Sequence, residues 1–172
     1  MEALESMLTR VSVKKYKSDP VPKELIDKIV EAGIHAANGL NKQSPIILAV
    51  TNKEIRDKLS FYNAGKDPFK RADPFYGAPV VLVVLADKNV PTYLYDGSLV
   101  MGNLMTAAHA LGLGACWIHR AKETFENPEW QAFLKKQGIQ GDYEGIGNCV
   151  IGYADITPEK KPRKENRVYY IE

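Results

Sequence analysis

Leu4, Met7 and Leu8 fall at helical spacing and predict a short amphipathic helix over 2–8. Through 9–17, Val11 and Val13 alternate with polar residues, the two-residue period of an extended segment. Ser18 to Pro22 breaks the chain. Pro22 suits the first position of a new helix, whose apolar stripe of Leu25, Ile26, Ile29, Val30 and Ile34 runs to about residue 37. A polar turn over 38–45 feeds a strand over 46–51, and Asn52 is placed to cap a helix reaching about Tyr62. From 63 to 76, Gly65, Pro68 and Pro74 exclude long regular elements. The unbroken apolar run over 79–86 predicts a strand with both faces covered. A long helix over about 91–111 ends at Gly112 or Gly114. A strand over 115–118, a surface helix over 126–136 and a buried strand over 146–153 complete the regular pattern. Residues 155–167 are basic and broken by proline, and Val168 to Ile171 closes on a strand-like signal.

Helices and strands alternate, but two helices precede any sheet. That order favours an α+β arrangement in three layers over a doubly wound sheet. No repeat or linker divides the chain, so residues 1–172 read as one domain. At this length a chain buries roughly 70% of its unfolded surface and needs no disulfide staples. The stretch 93–113 is long enough to span a bilayer, yet it carries Asp96, Ser98, Asn103, Thr106 and His109. It reads instead as a helix buried in the protein or between two subunits. With 45% hydrophobic and 26% charged residues the composition is globular. The 23 basic and 21 acidic side chains leave a net charge of +2, so no global field grips nucleic acid. Cys116 and Cys149 make no disulfide framework, and the first residues lack a signal-peptide plan, which sets a cytoplasmic expectation.

Three segments carry candidate chemistry. In an extended 10–14 segment, Arg10, Ser12 and Lys14 share one face, and two cations flanking a hydroxyl suit a phosphate monoester; a solvated basic strand reads the same way. The loop Asn38-Gly39-Leu40-Asn41-Lys42-Gln43 presents amides that donate and accept, as the edge of a planar heterocycle requires; a simple polar turn looks similar. Lys160-Lys161-Pro162-Arg163-Lys164 is an exposed tail, a weak nucleic-acid patch or a second clamp on the same phosphate, and near-neutral net charge without interleaved aromatics weighs against nucleic acid. The half-fingerprint Gly112-Leu113-Gly114 follows a helix and meets Trp117 at the third glycine position, so it is not a dinucleotide motif. The histidines and cysteines lack metal-ligand spacing.

Together, in this order, these segments resemble the FMN-dependent nitroreductase family over essentially the whole chain. Arg10, Ser12 and Lys14 match its opening motif, and Asn38 to Gln43 its second, here with Ser44 inserted before Pro45. The helix carrying Asp96 and Asn103 and running to Gly112-Leu113-Gly114 is similar to the family's central helix, and Lys161-Pro162-Arg163 to its basic ending. The resemblance implies a central, mostly antiparallel sheet flanked by helices. It also implies a homodimer with FMN at the interface and a C-terminal strand exchanged with the partner. Arg10, Ser12, Lys161 and Arg163 would hold the phosphate, with Val11 beside them. Lys14 would join them or stand near the ring. Asn38, Leu40, Asn41 and Gln43 would reach the ring edge or ribityl chain from the other subunit. The Ile118-His119 backbone would face flavin N5. The implied activity is NADH- or NADPH-dependent reduction of nitroaromatic or quinone acceptors through the flavin, in ping-pong fashion, with no catalytic side chain. Another flavin enzyme on this scaffold (a dehalogenase or azole dehydrogenase type), or a non-catalytic FMN-binding protein, stays open. Residues 63–76, with Asn63, Lys66 and Phe69, are expected to overhang the flavin and shape the acceptor pocket.

Overall fold

The computed structural model describes residues 1–65, 71–156 and 158–172. Lys66 and Phe69 lie outside them. Four strands form one sheet: β1 (Pro45–Val50), β2 (Val80–Asp87), β3 (Gly114–Ile118) and β4 (Tyr143–Gly152), in the order β1-β2-β4-β3 with every neighbour antiparallel. The sheet divides two cores. On one side lie α2 (Lys23–Ile34) and α4 (Tyr93–Ala110), whose Ile26, Ile29, Val100, Met101, Leu104 and Ala108 pack on Leu82, Val84, Cys149 and Ile151. On the other lie α3 (Lys53–Gly65), α5 (Ala121–Phe125) and α6 (Pro128–Lys136), whose Leu59, Phe125, Trp130 and Leu134 meet Val81, Val83, Leu85, Cys116 and Val150. The three-layer α+β expectation holds. β2 sends alternate residues into the two cores, which is why its sequence shows no polar face.

The short α1 (Ala3–Thr9) docks on α4 through Ser6, whose hydroxyl donates to the Thr106 carbonyl at 2.8 Å. Its Leu4, Met7 and Leu8 remain exposed, as do Leu94, Tyr95 and Leu99 on α4. The long helix is therefore buried on one face only within the chain. No described helix is long and apolar enough to cross a membrane. Cys116 and Cys149 are buried free thiols in different cores.

Two expectations need correction. The helix expected over 126–136 starts at Pro128, because Asn127 caps α6 by accepting from the Glu129 N–H at 2.8 Å and Pro128 takes its first position, and a separate short helix, α5, precedes it where none was expected. Asn63 stands in the last turn of α3, not in a loop, and is fully buried. Residues 168–171 form no strand within the chain; Val168, Tyr169, Tyr170 and Ile171 are exposed.

Candidate cofactor site

β3 is an edge strand, and residues 10–14 run along its outer edge. Ser12 bridges Ala115 in the parallel sense, and the Val13 N–H donates to the Ala115 carbonyl at 3.0 Å. Val13 points into the core against Gly114, where a Cβ would come within 2.7 Å of its side chain. The two-residue period then turns Ser12 and Lys14 outward, and both are exposed. Val11 and Arg10 are half-buried. Arg10 Nη1 is buried and, among the described residues, has no hydrogen-bond partner. A dry guanidinium nitrogen without an acceptor is costly, and the arrangement suits an anion that the fold itself does not supply. Burial pushes the Cys116 thiol beneath this segment up. A hydrogen bond with Ser12 and the charges of Lys14, Arg10 and Arg71 pull it the other way, which places three cations about one stretch of β3.

The basic tail returns to this edge. Lys160 Nζ donates to the carbonyl of Leu8, two residues before Arg10, so the first and last basic segments meet within one chain. Lys161 and Arg163 follow on the tail and are exposed.

The amide loop is built by a buried carboxylate. Asp96, in the first turn of α4, accepts from the Gly39 N–H at 2.9 Å and from Thr92 Oγ1 at 2.8 Å. Thr92 packs so closely that a Cβ on Gly39 would lie 2.3 Å from its hydroxyl, which explains the glycine. Leu40, Asn41 and Gln43 all take left-handed φ, at 51°, 53° and 49°. Each such residue costs about 1–3 kcal/mol and persists only where its surroundings impose it. The Gln43 N–H donates to Asn38 Oδ1 at 2.9 Å, and Gln43 Nε2 to Asn41 Oδ1 at 3.1 Å. Asn38 is half-buried; Leu40, Asn41 and Gln43 are exposed. This loop leads into β1, at the opposite edge of the sheet from β3. Three strand spacings, roughly 14 Å, separate those edges. One chain does not bring the amides to Arg10 and Lys14.

Beyond β3, Ile118 is buried and His119 exposed. Asn63 Nδ2 donates to the His119 carbonyl at 2.8 Å, while Arg120 Nη2 donates to Asn63 Oδ1 at 2.9 Å. Arg120 is left-handed, with φ 72°. Nothing in the sequence signalled this latch, because its partners are 56 and 57 residues apart. Arg71 Nη1 donates to the Tyr76 hydroxyl and lies over its ring. Among the described residues no cluster of side chains suits a metal ion.

The family profile described as the Nitroreductase family matches residues 7–66 and 62–153. The chain belongs to the nitroreductase family. A relative from Methanothermobacter thermautotrophicus, described as a putative NADH dehydrogenase/NAD(P)H nitroreductase, is 32% identical over 121 residues. That match takes in 68% of this chain and 60% of that protein, so the chain spans less than two thirds of this nitroreductase relative's length. The FMN reductase [NAD(P)H] of Bacillus subtilis is 26% identical over 178 residues, covering 94% of this chain and 70% of that one. Among solved structures, a nitroreductase with bound FMN from Desulfitobacterium hafniense superposes over the whole of both chains with a TM-score of 0.89 at 24% identity. A putative NADH dehydrogenase/NAD(P)H nitroreductase from Parabacteroides distasonis gives 0.72 at 27% identity, over 98% of this chain and 96% of that one.

Proposed function

We propose that this nitroreductase-family chain is an FMN-dependent NAD(P)H oxidoreductase that reduces quinone or nitroaromatic acceptors as a homodimer. The observation that carries the reading is the buried Arg10 nitrogen, without a hydrogen-bond partner among the described residues, beside Ser12 and Lys14, a cradle suited to a phosphate oxygen. Arg10 and Ser12 hold that phosphate, with Lys161 and Arg163 closing on it from the tail that Lys160 ties down. Because residues 10–14 run parallel to β3, Lys14 lies further toward His119 than Arg10 does. The phosphate end of the site is therefore near Arg10, and the ring end lies toward Lys14 and the 118–120 backbone. Bound FMN supplies hydride acceptance from a reduced nicotinamide and electron delivery to an acceptor on the same face. The chain orients the cofactor, offers backbone N–H groups to the ring, and places a cation where reduced flavin carries negative charge.

The far-edge amide loop serves the partner's site. Leu4, Met7 and Leu8 with Leu94, Tyr95 and Leu99 make an apolar face suited to a second copy. The exposed Val168 to Ile171 segment has the β-branched and aromatic character to pair with the partner's β1 edge. A reducing cytoplasmic setting suits the two free thiols. Tests are direct. The purified protein should run as a dimer with one FMN per chain and give parallel double-reciprocal plots for NADH against a quinone. Deleting residues 166–172 should shift the dimer toward monomer by light scattering. A colourless monomer with no affinity for FMN would contradict the proposal.

A further inference from the structure

A cavity of about 260 Å³ opens beside the amide loop, with Gly39, Leu40 and Lys42 on one wall and Val90, Pro91 and Thr92 on the other. The walls are tied together by Asp96, which accepts from the Gly39 N–H at 2.9 Å and from Thr92 Oγ1 at 2.8 Å. The Lys42 N–H donates back to the Gly39 carbonyl at 3.0 Å, and the Val90 N–H to the Asp87 carbonyl at 3.1 Å. The Val90 carbonyl accepts from the Tyr93 N–H at 3.0 Å, and the Thr92 carbonyl from the Asp96 N–H at 2.9 Å. Pro91 has no N–H to offer. The polar backbone of both walls is thus engaged within the protein, and what remains to line the cavity is chiefly apolar: Leu40, Val90 and Pro91. An apolar group entering such a space strands no donor or acceptor.

Leu40 is an unexpected residue for its place. At φ 51° the backbone favours glycine or asparagine, and a leucine contributes most when buried, yet Leu40 is 91% exposed. Within the chain neither cost is offset. The size of the cavity narrows what it could hold. Sites that enclose a whole drug-sized ligand span roughly 300–1,000 Å³, so this one takes a substituent and not a complete acceptor. Its position does the same. The cavity continues from the 38–43 loop, which the proposed function sets at the ring edge of the partner's FMN. A planar acceptor stacked on that ring has its substituents at the cavity mouth.

We infer that the cavity between the amide loop and the 89–92 turn binds the aliphatic substituent of the electron acceptor, which makes alkyl-substituted quinones the preferred substrate class. The inference rests on the proposal that the chain is a dimeric FMN-dependent reductase whose amide loop serves the partner's site. Each turnover converts NAD(P)H, one proton and the quinone into NAD(P)⁺ and the quinol. The hydride from the nicotinamide carries both electrons, the proton comes from solvent, and both quinone oxygens end as hydroxyls. The alkyl chain takes no part in that chemistry. Its contribution is binding that persists in the transition state, so it appears in kcat/KM. Complete burial of one methylene corresponds to about fourfold. A cavity open on one side covers each carbon only in part, which brings the expectation to about twofold per carbon.

The test is kcat/KM for methyl-, propyl- and hexyl-1,4-benzoquinone, measured with NADH or NADPH on FMN-loaded wild type, Val90→Asp and Val90→Phe. Wild type should gain about 30-fold from methyl to hexyl. Val90→Asp puts a charge on the wall and Val90→Phe fills the space. Each should flatten the series to within about threefold, while FMN affinity and kcat/KM for the methyl compound stay at wild-type values. If Val90→Asp does not fold, Val90→Phe decides, and if neither folds the wild-type series does. A flat wild-type series with normal turnover of the methyl compound overturns the inference and leaves the proposed function standing. A steep series that survives both substitutions has the same consequence. So does a shift of either variant toward monomer by light scattering, since the partner subunit would then be what fills the cavity. A wild-type protein that binds no FMN, or reduces none of the quinones, overturns the function itself.

Discussion

Arg10 is the residue on which the phosphate end of the site turns, and its replacement separates a cofactor role from a structural one. In Arg10→Met the stem still covers apolar surface while the charge is gone. The Nη1 nitrogen is buried with no acceptor among the described residues, so the cofactor-free protein gains nothing from its charge and bears its desolvation. The cofactor-free variant should therefore melt at or above the wild-type temperature. With FMN the sign reverses. Losing one charge-assisted contact to the phosphate costs about 1.5–3 kcal/mol. That is about 10- to 150-fold in dissociation constant. Fluorescence quenching on titration of apoprotein with FMN measures the second quantity, and thermal unfolding of the same preparation the first. An unchanged dissociation constant, or a clearly destabilised apoprotein, would show that Arg10 serves the fold and not the ligand.

Other substitutions probe the elements that hold the site. Asp96→Ala leaves the Gly39 N–H without its acceptor; the misplaced amide loop should cost about 1–3 kcal/mol of FMN affinity, read by the same titration, with far-ultraviolet circular dichroism unchanged. Gly145→Ala drives a Cβ to 2.3 Å from the Ala121 backbone at the start of α5 and should cost about 1–3 kcal/mol in urea unfolding. Asp73 accepts from Arg56 Nη2 and Ser60 Oγ, both at 2.6 Å, and from the Gly77 N–H at 2.8 Å. Burial raises its pKa, but these hydrogen bonds and the Arg56 charge outweigh burial and hold the carboxyl below its usual range. A lowered folded-state pKa means stability that is fully present above the unfolded value and lost as pH falls through the folded one. Asp73→Asn should thus melt below wild type at neutral pH, and the gap should close below about pH 4; a gap independent of pH would contradict the assignment.

The parts of this molecule that sequence displays are those governed by local periodicity. β2 shows burial on both faces because every residue from Val80 to Ala86 has an apolar neighbour layer to enter. Asn52 announces the start of α3, and its side chain does accept from the Ile55 N–H at 3.0 Å. Val13 and Ser12 fall on opposite faces as their alternation requires. What sequence hides depends on distant partners. Asn63 reads as a breaker, yet it continues α3 because His119 and Arg120 satisfy its amide across the fold. The five-residue α5 is too short to show a helical stripe, and Arg120 before it is no usual cap. Asp96 stands out in sequence as a charge in an apolar helix, but its purpose, fixing Gly39 and Thr92, appears only in three dimensions. The exposed Val168 to Ile171 segment shows strand character without a partner strand in its own chain.

The visible spectrum of the purified protein, recorded without oxygen before and after addition of NADH or NADPH, bears most directly on the cradle along β3. A yellow protein whose flavin bands bleach on addition of nucleotide and return on addition of a quinone is the expected result. A protein that stays colourless after incubation with FMN, or whose bound flavin neither nucleotide reduces, would contradict the account.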